Sequence, residues 1–349
     1  MNIAFILDHK LMEYRVPLFQ KLSERGYVVT VIHSGDYIQN DSFLQIIVKE
    51  IKIGPFYYKN LPNLMSYDVV INMQNIRFIH TWLFVFKFIN INRLVDWTIG
   101  TSTKNGLNRK ITILDKMRDF LSKYSQAIIL YTNYARFKYS KINQNKIFIA
   151  NNTVLNEYHE DLSSEPKNGF IFIGTLNKRK GIEILLEAFN NYIKSSKNRK
   201  LKYLYIIGEG EMKGWIIDFV NENNINEYVF LIGKVNTHTI KKKYFSMSAA
   251  NISPNQAGLS VLESFSYGIP FVTKINAISG GEHLNVINNY NGITFENNDE
   301  LVEILNKLDS NSDITKELGK NSYEYYTEKR SFENMVNVFE SAINFSKSN

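Results

Sequence analysis

No cysteine occurs among the 349 residues, which removes disulfides, thiolate metal sites and a cysteine nucleophile from consideration. The chain therefore fits a reducing compartment, and the cytoplasm is the expected location. No apolar run approaches the roughly 20 residues that a membrane-spanning helix needs. The longest, Trp82-Leu83-Phe84-Val85-Phe86-Lys87-Phe88-Ile89, is broken by a lysine. The opening Met1-Asn2-Ile3-Ala4-Phe5-Ile6-Leu7-Asp8 meets charge too early for a secretory signal and reads as a first buried strand. Low-complexity tracts, short internal repeats and recognised nucleic-acid modules are also missing, so nucleic acid is not an expected partner.

What is present suffices for a large core: with 44% hydrophobic residues, a chain of this length favours two domains over a small binding module. The formal net charge of +7 is uneven. Residues 1–150 hold 20 Lys and Arg against 10 Asp and Glu, while 151–349 hold 21 against 24. A basic excess in one half is either an attraction to an anionic partner or an ordinary solvated surface.

Strand-length apolar runs alternate with longer helix-period segments, the rhythm of parallel sheets covered by helices on both faces. In the first half the pattern predicts strands at Ile3–Leu7, Val28–His33, Val69–Asn72, Leu94–Ile99, Ala127–Tyr131 and Lys146–Ile149. Helices are expected near Val16–Arg25, Arg77–Phe88, Arg109–Lys123 and Asn133–Ser140. The second half predicts strands at Gly169–Gly174, Tyr203–Gly208, Val229–Ile232, Ala250–Ser253 and Phe271–Thr273. Between the halves, 151–168 is polar and aperiodic, a linker. The boundaries so read are 1–166 and 167–330. An amphipathic C-terminal helix carrying Phe332, Met335, Val338, Phe339 and Ile343 at 331–349 is expected to pack back on the first domain.

Three segments of the second half carry chemistry. Phe170–Gly174 is a strand followed by Thr175-Leu176-Asn177-Lys178-Arg179-Lys180-Gly181, three consecutive cations just before a helix. A helix start attracts phosphate through its unpaired N–H groups, and Arg179 and Lys180 there make a candidate diphosphate site; the alternative is a solvated basic turn. Leu204–Ile207 leads into Gly208-Glu209-Gly210, which lets backbone approach a ligand or simply makes a tight turn. In Ser253-Pro254-Asn255-Gln256-Ala257-Gly258-Leu259-Ser260-Val261-Leu262-Glu263, a glycine loop opens a helix. Glu263 sits among apolar residues, where its carboxylate needs a partner, either a ligand diol or a structural cation.

In this order, with Gly-Leu-Ser-Val-Leu-Glu and the downstream Tyr267-Gly268-Ile269-Pro270-Phe271-Val272, the segments resemble the donor-binding domain of the retaining glycosyltransferases of family four over about 168–292. Glu13-Tyr14-Arg15-Val16-Pro17-Leu18-Phe19 is similar to the tract after the first strand in members that build bacterial surface polysaccharides. Lys146–Thr153 is similar to the family's hinge entry. The resemblance implies an α/β chain of the GT-B class: two Rossmann-like, doubly wound parallel-sheet domains facing a central cleft, the first binding acceptor and the second the nucleotide-sugar donor.

It further implies that Arg179 and Lys180 hold the donor diphosphate and neutralise the leaving group, that Glu263 binds the ribose, and that backbone N–H groups of Gly258, Leu259 and Ser260 face the distal phosphate or the sugar. Gly174 and Gly208 would line the donor site. The family commonly has a second glutamate eight positions before Glu263; Asn255 stands there, able to hydrogen-bond a sugar hydroxyl without charge and counted with Arg179 and Lys180 among the catalytic candidates. Gly100-Thr101 stands where a Gly-His-Gly type sequence is usual.

Glu282, in a glycine-rich loop, is a candidate donor-sugar contact, with a solvated loop charge as the alternative. Glu13, Tyr14 and Arg15 lie just past the first strand's C-terminal end, where open α/β sheets place ligands, and are the candidate acceptor residues; capping or packing is the other reading. No Asp-x-Asp pair and no ligand spacing among the histidines is present, so neither a metal nor a cofactor is expected beyond a UDP- or GDP-type sugar as co-substrate. The implied reaction is transfer of a sugar to a glycan or polyprenyl-diphosphate-linked saccharide in surface polysaccharide synthesis. A nucleotide-sugar epimerase and an inactive transferase-like binding protein are the rival readings.

Segment 108–124 sets Arg109, Lys110, Lys116, Arg118 and Lys123 around an apolar stripe of Leu114, Met117, Leu121 and Tyr124. It reads either as a helix lying on an anionic membrane, making the protein peripheral at the inner face of the cytoplasmic membrane, or as a core-facing helix with solvated lysines.

Overall fold

The computed structural model of the chain describes every residue except 104–106, 108, 197, 236 and 349. The first residue of segment 108–124 therefore lies outside the described residues. Two compact units form: Met1–Ser102, Asn108–Leu155 and Phe332–Asn349 make one, Thr103–Leu107 and Asn156–Ser331 the other. The division falls between Leu155 and Asn156 rather than after 166, because the polar stretch read as a linker is already tied to the second unit. Asn156 Nδ2 donates to Ser266 Oγ at 2.8 Å, and the amides of Glu160 and Leu162 donate to the carbonyls of Ser266 and Tyr267 at 3.0 and 3.1 Å.

The first unit is built on β1 (Asn2–Ile6), β2 (Val28–His33), β3 (Leu44–Ile47), the hairpin of β4 (Glu50–Ile53) and β5 (Phe56–Lys59), β6 (Val69–Met73), β7 (Leu94–Thr98), β8 (Ala127–Leu130) and β9 (Ile147–Ile149). Seven strands pair in the order β3-β2-β1-β6-β7-β8-β9, all parallel, with Ile3 in register with Val29 on one side and Val69 on the other. Strands covered on both faces are apolar throughout, which is why β1 and β6 read so plainly from sequence. The short strands β3 to β5 lack that pattern and were not anticipated. Helices α1 (Val16–Glu24), α2 (Ile79–Val85), α3 (Ile113–Ser122) and α4 (Lys141–Gln144) connect them, while Asn133–Lys138 is a 3-10 turn rather than an α-helix. The α3 start is set by a capping box: Thr112 Oγ1 accepts from the Asp115 amide at 3.2 Å, and Asp115 Oδ2 accepts from the Thr112 amide at 2.9 Å.

The C-terminal helix Phe332–Ser348 belongs to this unit. Its Phe339 ring meets Trp97 edge-on at 5.0 Å and lies 6.3 Å from Phe5, joining a core that includes Val336 and Ile343. Fully burying such an aromatic contributes roughly 1.5–3 kcal/mol.

The second unit's sheet runs β12-β11-β10-β13-β14-β15, from β10 (Gly169–Ile173), β11 (Tyr203–Ile207), β12 (Val229–Gly233), β13 (Ser248–Ile252), β14 (Phe271–Lys274) and β15 (Gly292–Phe295), again all parallel. Helices α5 (Ile182–Lys194), α6 (Lys213–Glu222), α7 (His238–Ser246), α8 (Ser260–Phe265), α9 (Glu300–Ser310) and α10 (Ser312–Lys329) cover it. Among the described residues no helix is long and apolar enough to cross a membrane.

Candidate functional site

In the second unit the sheet order departs from sequence order beside β10, whose neighbours are β11 and β13; such a switch point leaves a crevice past the strands' C-terminal ends. Glycine builds its walls. The Gly174 amide donates to Ile207 at 3.0 Å and the Leu176 amide to Glu209 at 2.9 Å, zipping the loops after β10 and β11 together. Gly208, at φ +151°, approaches so closely that a Cβ would lie 1.9 Å from the Gly174 carbonyl oxygen.

The three cations that follow are not equivalent. They form a 3-10 turn, Lys178–Lys180, stopped by Gly181 at φ +70°. Lys180 turns inward and is only 9% exposed. Its Nζ lies 3.5 Å from where a Gly174 Cβ would be and 3.8 Å from where a Gly258 Cβ would be, beneath both glycine loops. Burial pushes its ammonium down to about 8, opposed by Glu282 and reinforced by Arg179. Glu282 is buried, and its Oε2 accepts from the Gly280 amide at 2.7 Å.

Arg179 is exposed and lines an open recess with Lys178, Asn255, Lys274 and Asn276. The expectation of a paired Arg179 and Lys180 thus resolves into one inward cation and one outward, because adjacent residues of a tight turn point apart. Asn255 links the two: its amide donates to the Lys180 carbonyl at 3.2 Å, and its side chain occupies the space a Gly181 Cβ would need.

Glu263 finds its partner in Lys241 of α7, whose Nζ donates to Oε1; both side chains are about one-fifth exposed. Lys241 was missed from sequence because it heads a run of three lysines that looks like a solvated face. At the start of α8 the Ser260 hydroxyl is buried with no hydrogen-bond partner, close to Gly258 and Leu259 in the chain. Gly174, Gly208, Gly258 and Lys180 are brought together with Glu282 nearby; Glu263 follows one helical turn after Ser260.

In the first unit the order switches at β1, between β2 and β6. Past these strands Asp8 Oδ2 accepts from Asn75 Nδ2 at 3.0 Å, while Asp8 Oδ1 is buried without a hydrogen-bond partner, 3.8 Å from His9 Nε2. Glu13 and Tyr14 are exposed on a 3-10 turn. Arg15 is not: it is 5% exposed, its Nη2 donates to Tyr131 Oη at 2.6 Å, its guanidinium lies 4.5 Å from the Trp97 ring centroid, and its Nε has no partner. Arg15 therefore holds the turn that presents its neighbours, the packing reading, rather than reaching solvent itself. Asp8 and Asn75 escaped the sequence reading because single polar residues after strands carry no pattern. Among the described residues no three His, Asp or Glu side chains are placed to hold a metal ion.

The fold, two Rossmann-like parallel-sheet units, is that of the GT-B class. It superposes on a glycosyltransferase from Rickettsia africae with a TM-score of 0.73 at 14% identity, covering 100% of this chain and 99% of that one. Against Anabaena HepE, solved in complex with UDP, the TM-score is 0.70 at 12% identity, with both chains covered in full, 100% each. Residues 156–325, which fall within the second unit, match the family model described as "Glycosyl transferases group 1". An uncharacterized glycosyltransferase of Methanocaldococcus jannaschii is 30% identical over 166 residues, 43% of this chain and 40% of that protein's length.

Proposed function

We propose that this protein is a glycosyltransferase that moves a sugar from a nucleoside-diphosphate donor, UDP- or GDP-type, onto a saccharide acceptor. The observation that carries the reading is the buried ammonium of Lys180 beneath the glycine loops of Gly174 and Gly258. A cation in so dry a place is costly until an anion arrives, and a diphosphate supplies the charge that restores its protonation. Glu263, steadied by Lys241, would take the ribose hydroxyls, and the Ser260 hydroxyl with the Gly258 to Ser260 backbone would take the distal phosphate or the sugar. Asn255 and Glu282 would contact the sugar. Arg179, in the outer recess, would act on the same charges at longer range.

In the transfer the bond from the anomeric carbon to the distal phosphate oxygen breaks, with the electron pair leaving on the diphosphate. The acceptor oxygen bonds to that carbon and its proton passes to the departing phosphate. Retention of configuration, independence of metal and a role in bacterial surface polysaccharide, with a polyprenyl-diphosphate-linked acceptor, follow the family resemblance. UDP beside the neighbour HepE supports the donor class. Glu13, Tyr14, Asp8 and Asn75 would face the acceptor.

Thermal-shift titration with UDP, GDP, ADP and their sugar conjugates tests the reading, since a ligand of the folded state alone raises the melting temperature. A rise with UDP or GDP and its sugars supports it; no rise with any of them rejects it. An epimerase would convert its nucleotide sugar with no acceptor present.

A further inference from the structure

Another cavity lies in the second unit, at the end of its sheet opposite the glycine loops. The chain enters β10 through 163–167 and β11 through Lys200 and Leu201, β13 passes Ala249 near its start, and α9 gives way to α10 between Leu308 and Ser312; these segments enclose about 280 Å³. The 5 residues of β10, at about 3.3 Å each, set this cavity roughly 16 Å from the loop that carries Lys180. It therefore stands outside the crevice read as the donor site. Leu201, Ala249 and Leu308 give it an apolar wall. Its volume is at the small end for a ligand site and suits a body no larger than a monosaccharide.

The polar groups are those of an anion site. Lys167 Nζ donates to the carbonyls of Leu162 at 2.7 Å and Ser246 at 3.0 Å, which leaves one of its three hydrogens over. Lys200 and Lys316 line the same cavity. Among the described residues none of these three lysines is in an ion pair. Burial pushes the Lys167 ammonium down to about 8 in spite of the Glu165 and Asp161 charges, a cost that a bound anion relieves. Of the two acids in the lining, Asp309 is already answered: its Oδ1 accepts from the amides of Lys200 and Leu201, each at 2.8 Å, and its Oδ2 lies 3.6 Å from Arg199 Nη1. Three lysines against the exposed Glu165 leave two positive charges, which matches the roughly −2 of a phosphate group near neutral pH. Ser163, Ser312 and Thr315 add hydroxyls, and that of Thr315, a residue 4% exposed, has no hydrogen-bond partner. The start of α10 is not itself the anion holder, because Asn311 Oδ1 accepts from the amides of Asp313 and Ile314 at 3.1 and 3.2 Å. Cations from three segments far apart in the chain converge instead. We propose that this cavity is a second ligand site, for a phosphate group free or esterified to a small organic body, with Lys167, Lys200 and Lys316 holding the phosphate. It stands apart from the transfer chemistry.

Calorimetric titration of the full chain with inorganic phosphate, glucose 6-phosphate and glucose tests it, on the wild type, on Lys180→Met to silence the donor site, and on Lys200→Gln with Lys316→Gln. At least one of the two phosphate compounds should bind the wild type with a Kd of about 1 mM or tighter, and glucose should not bind. The tighter of the two shows whether the group arrives free or esterified. Binding should persist in Lys180→Met and weaken at least about tenfold in the double lysine variant, which alters only exposed side chains and should keep the wild-type melting temperature. Hydrogen exchange in the wild type should slow at 163–167 and 309–316 when the ligand is added. No binding of either phosphate compound, equal binding of glucose, loss of binding in Lys180→Met, unchanged binding in the folded lysine variant, or slowed exchange confined to the glycine loops would each overturn the proposal. A wild type that takes phosphate in this cavity but no nucleotide would contradict the transfer reading alone.

Discussion

Lys241 of α7 holds the carboxylate of Glu263 on α8, an ion pair linking two helices at the edge of the candidate donor site. Both groups keep contact with solvent, so the pair itself contributes little to stability, about 0.5 kcal/mol or less than 1. Its weight lies in fixing where the carboxylate points. Lys241→Met should therefore weaken nucleotide binding by roughly five- to tenfold while lowering the melting temperature by only a few degrees. Isothermal titration together with a thermal melt separates the two effects; a large loss of stability with unchanged affinity would make the pair merely structural.

Lys180 gives the site a pH signature. Burial holds its folded pKa down at about 8 against 10.5 when unfolded, so the ammonium is lost as pH rises through about 8. A bound diphosphate restores the proton. Nucleotide affinity should fall as pH rises from 7 to above 9, and binding near pH 8.5 should take up protons, read from titrations in buffers of different ionisation enthalpy. Lys180→Met should abolish the proton uptake and cost about 100- to 1,000-fold in turnover.

Gly208 leaves no room for a side chain. With a Cβ placed 1.9 Å from the Gly174 carbonyl oxygen and φ at +151°, Gly208→Ala must part the loops after β10 and β11. The expected cost is about 1–3 kcal/mol with loss of nucleotide binding, checked by urea unfolding and titration. Gly214, where an added Cβ meets nothing within 4 Å, is the matched control.

Asp96 on β7 is buried, and its carboxyl is pushed up to about 6 by that burial, against the lowering effect of hydrogen bonds from Ser122, Ser125 and Gln74 and of the Lys146 charge. The folded state therefore binds more protons than the unfolded between about pH 4 and 6, and this contribution is lost as pH rises through 6. Asp96→Asn removes the effect. Its stability relative to wild type should improve by up to about 3 kcal/mol between pH 4 and 7 in urea melts. A gap that does not change with pH would contradict the shift.

Lys138 and Asp115 form a nearly dry pair, 3.0 Å apart, that anchors α3. Lys138→Met strands much of the Asp115 charge and should cost about 3–5 kcal/mol, seen as a lower urea midpoint and early proteolysis within 109–124.

The second unit was the more legible from sequence because its strands are apolar on both faces and its glycines stand at strand ends, where the backbone requires them. The expectation for α3 placed Leu114, Met117, Leu121 and Tyr124 on one stripe; Leu121 is buried while Leu114 and Tyr124 are exposed. Apolar periodicity shows which face of a helix is apolar but not that its anchor is polar, and the Asp96–Ser122–Gln74 network joins residues too far apart in the chain to be read together. The opposite fates of Arg179 and Lys180 were hidden for a related reason. A run of like charges gives no direction until the turn is formed.

Calorimetric titration of UDP and GDP into the wild type, Lys180→Met and Glu263→Ala most directly tests whether the second unit grips a nucleoside diphosphate at its two ends. One of the two nucleotides should bind the wild type, and each substitution should weaken it by at least about tenfold with the fold intact, as expected for loss of a hydrogen bond to a charged group. Binding that survives both substitutions unchanged, or no binding of either nucleotide to the wild type, would contradict it.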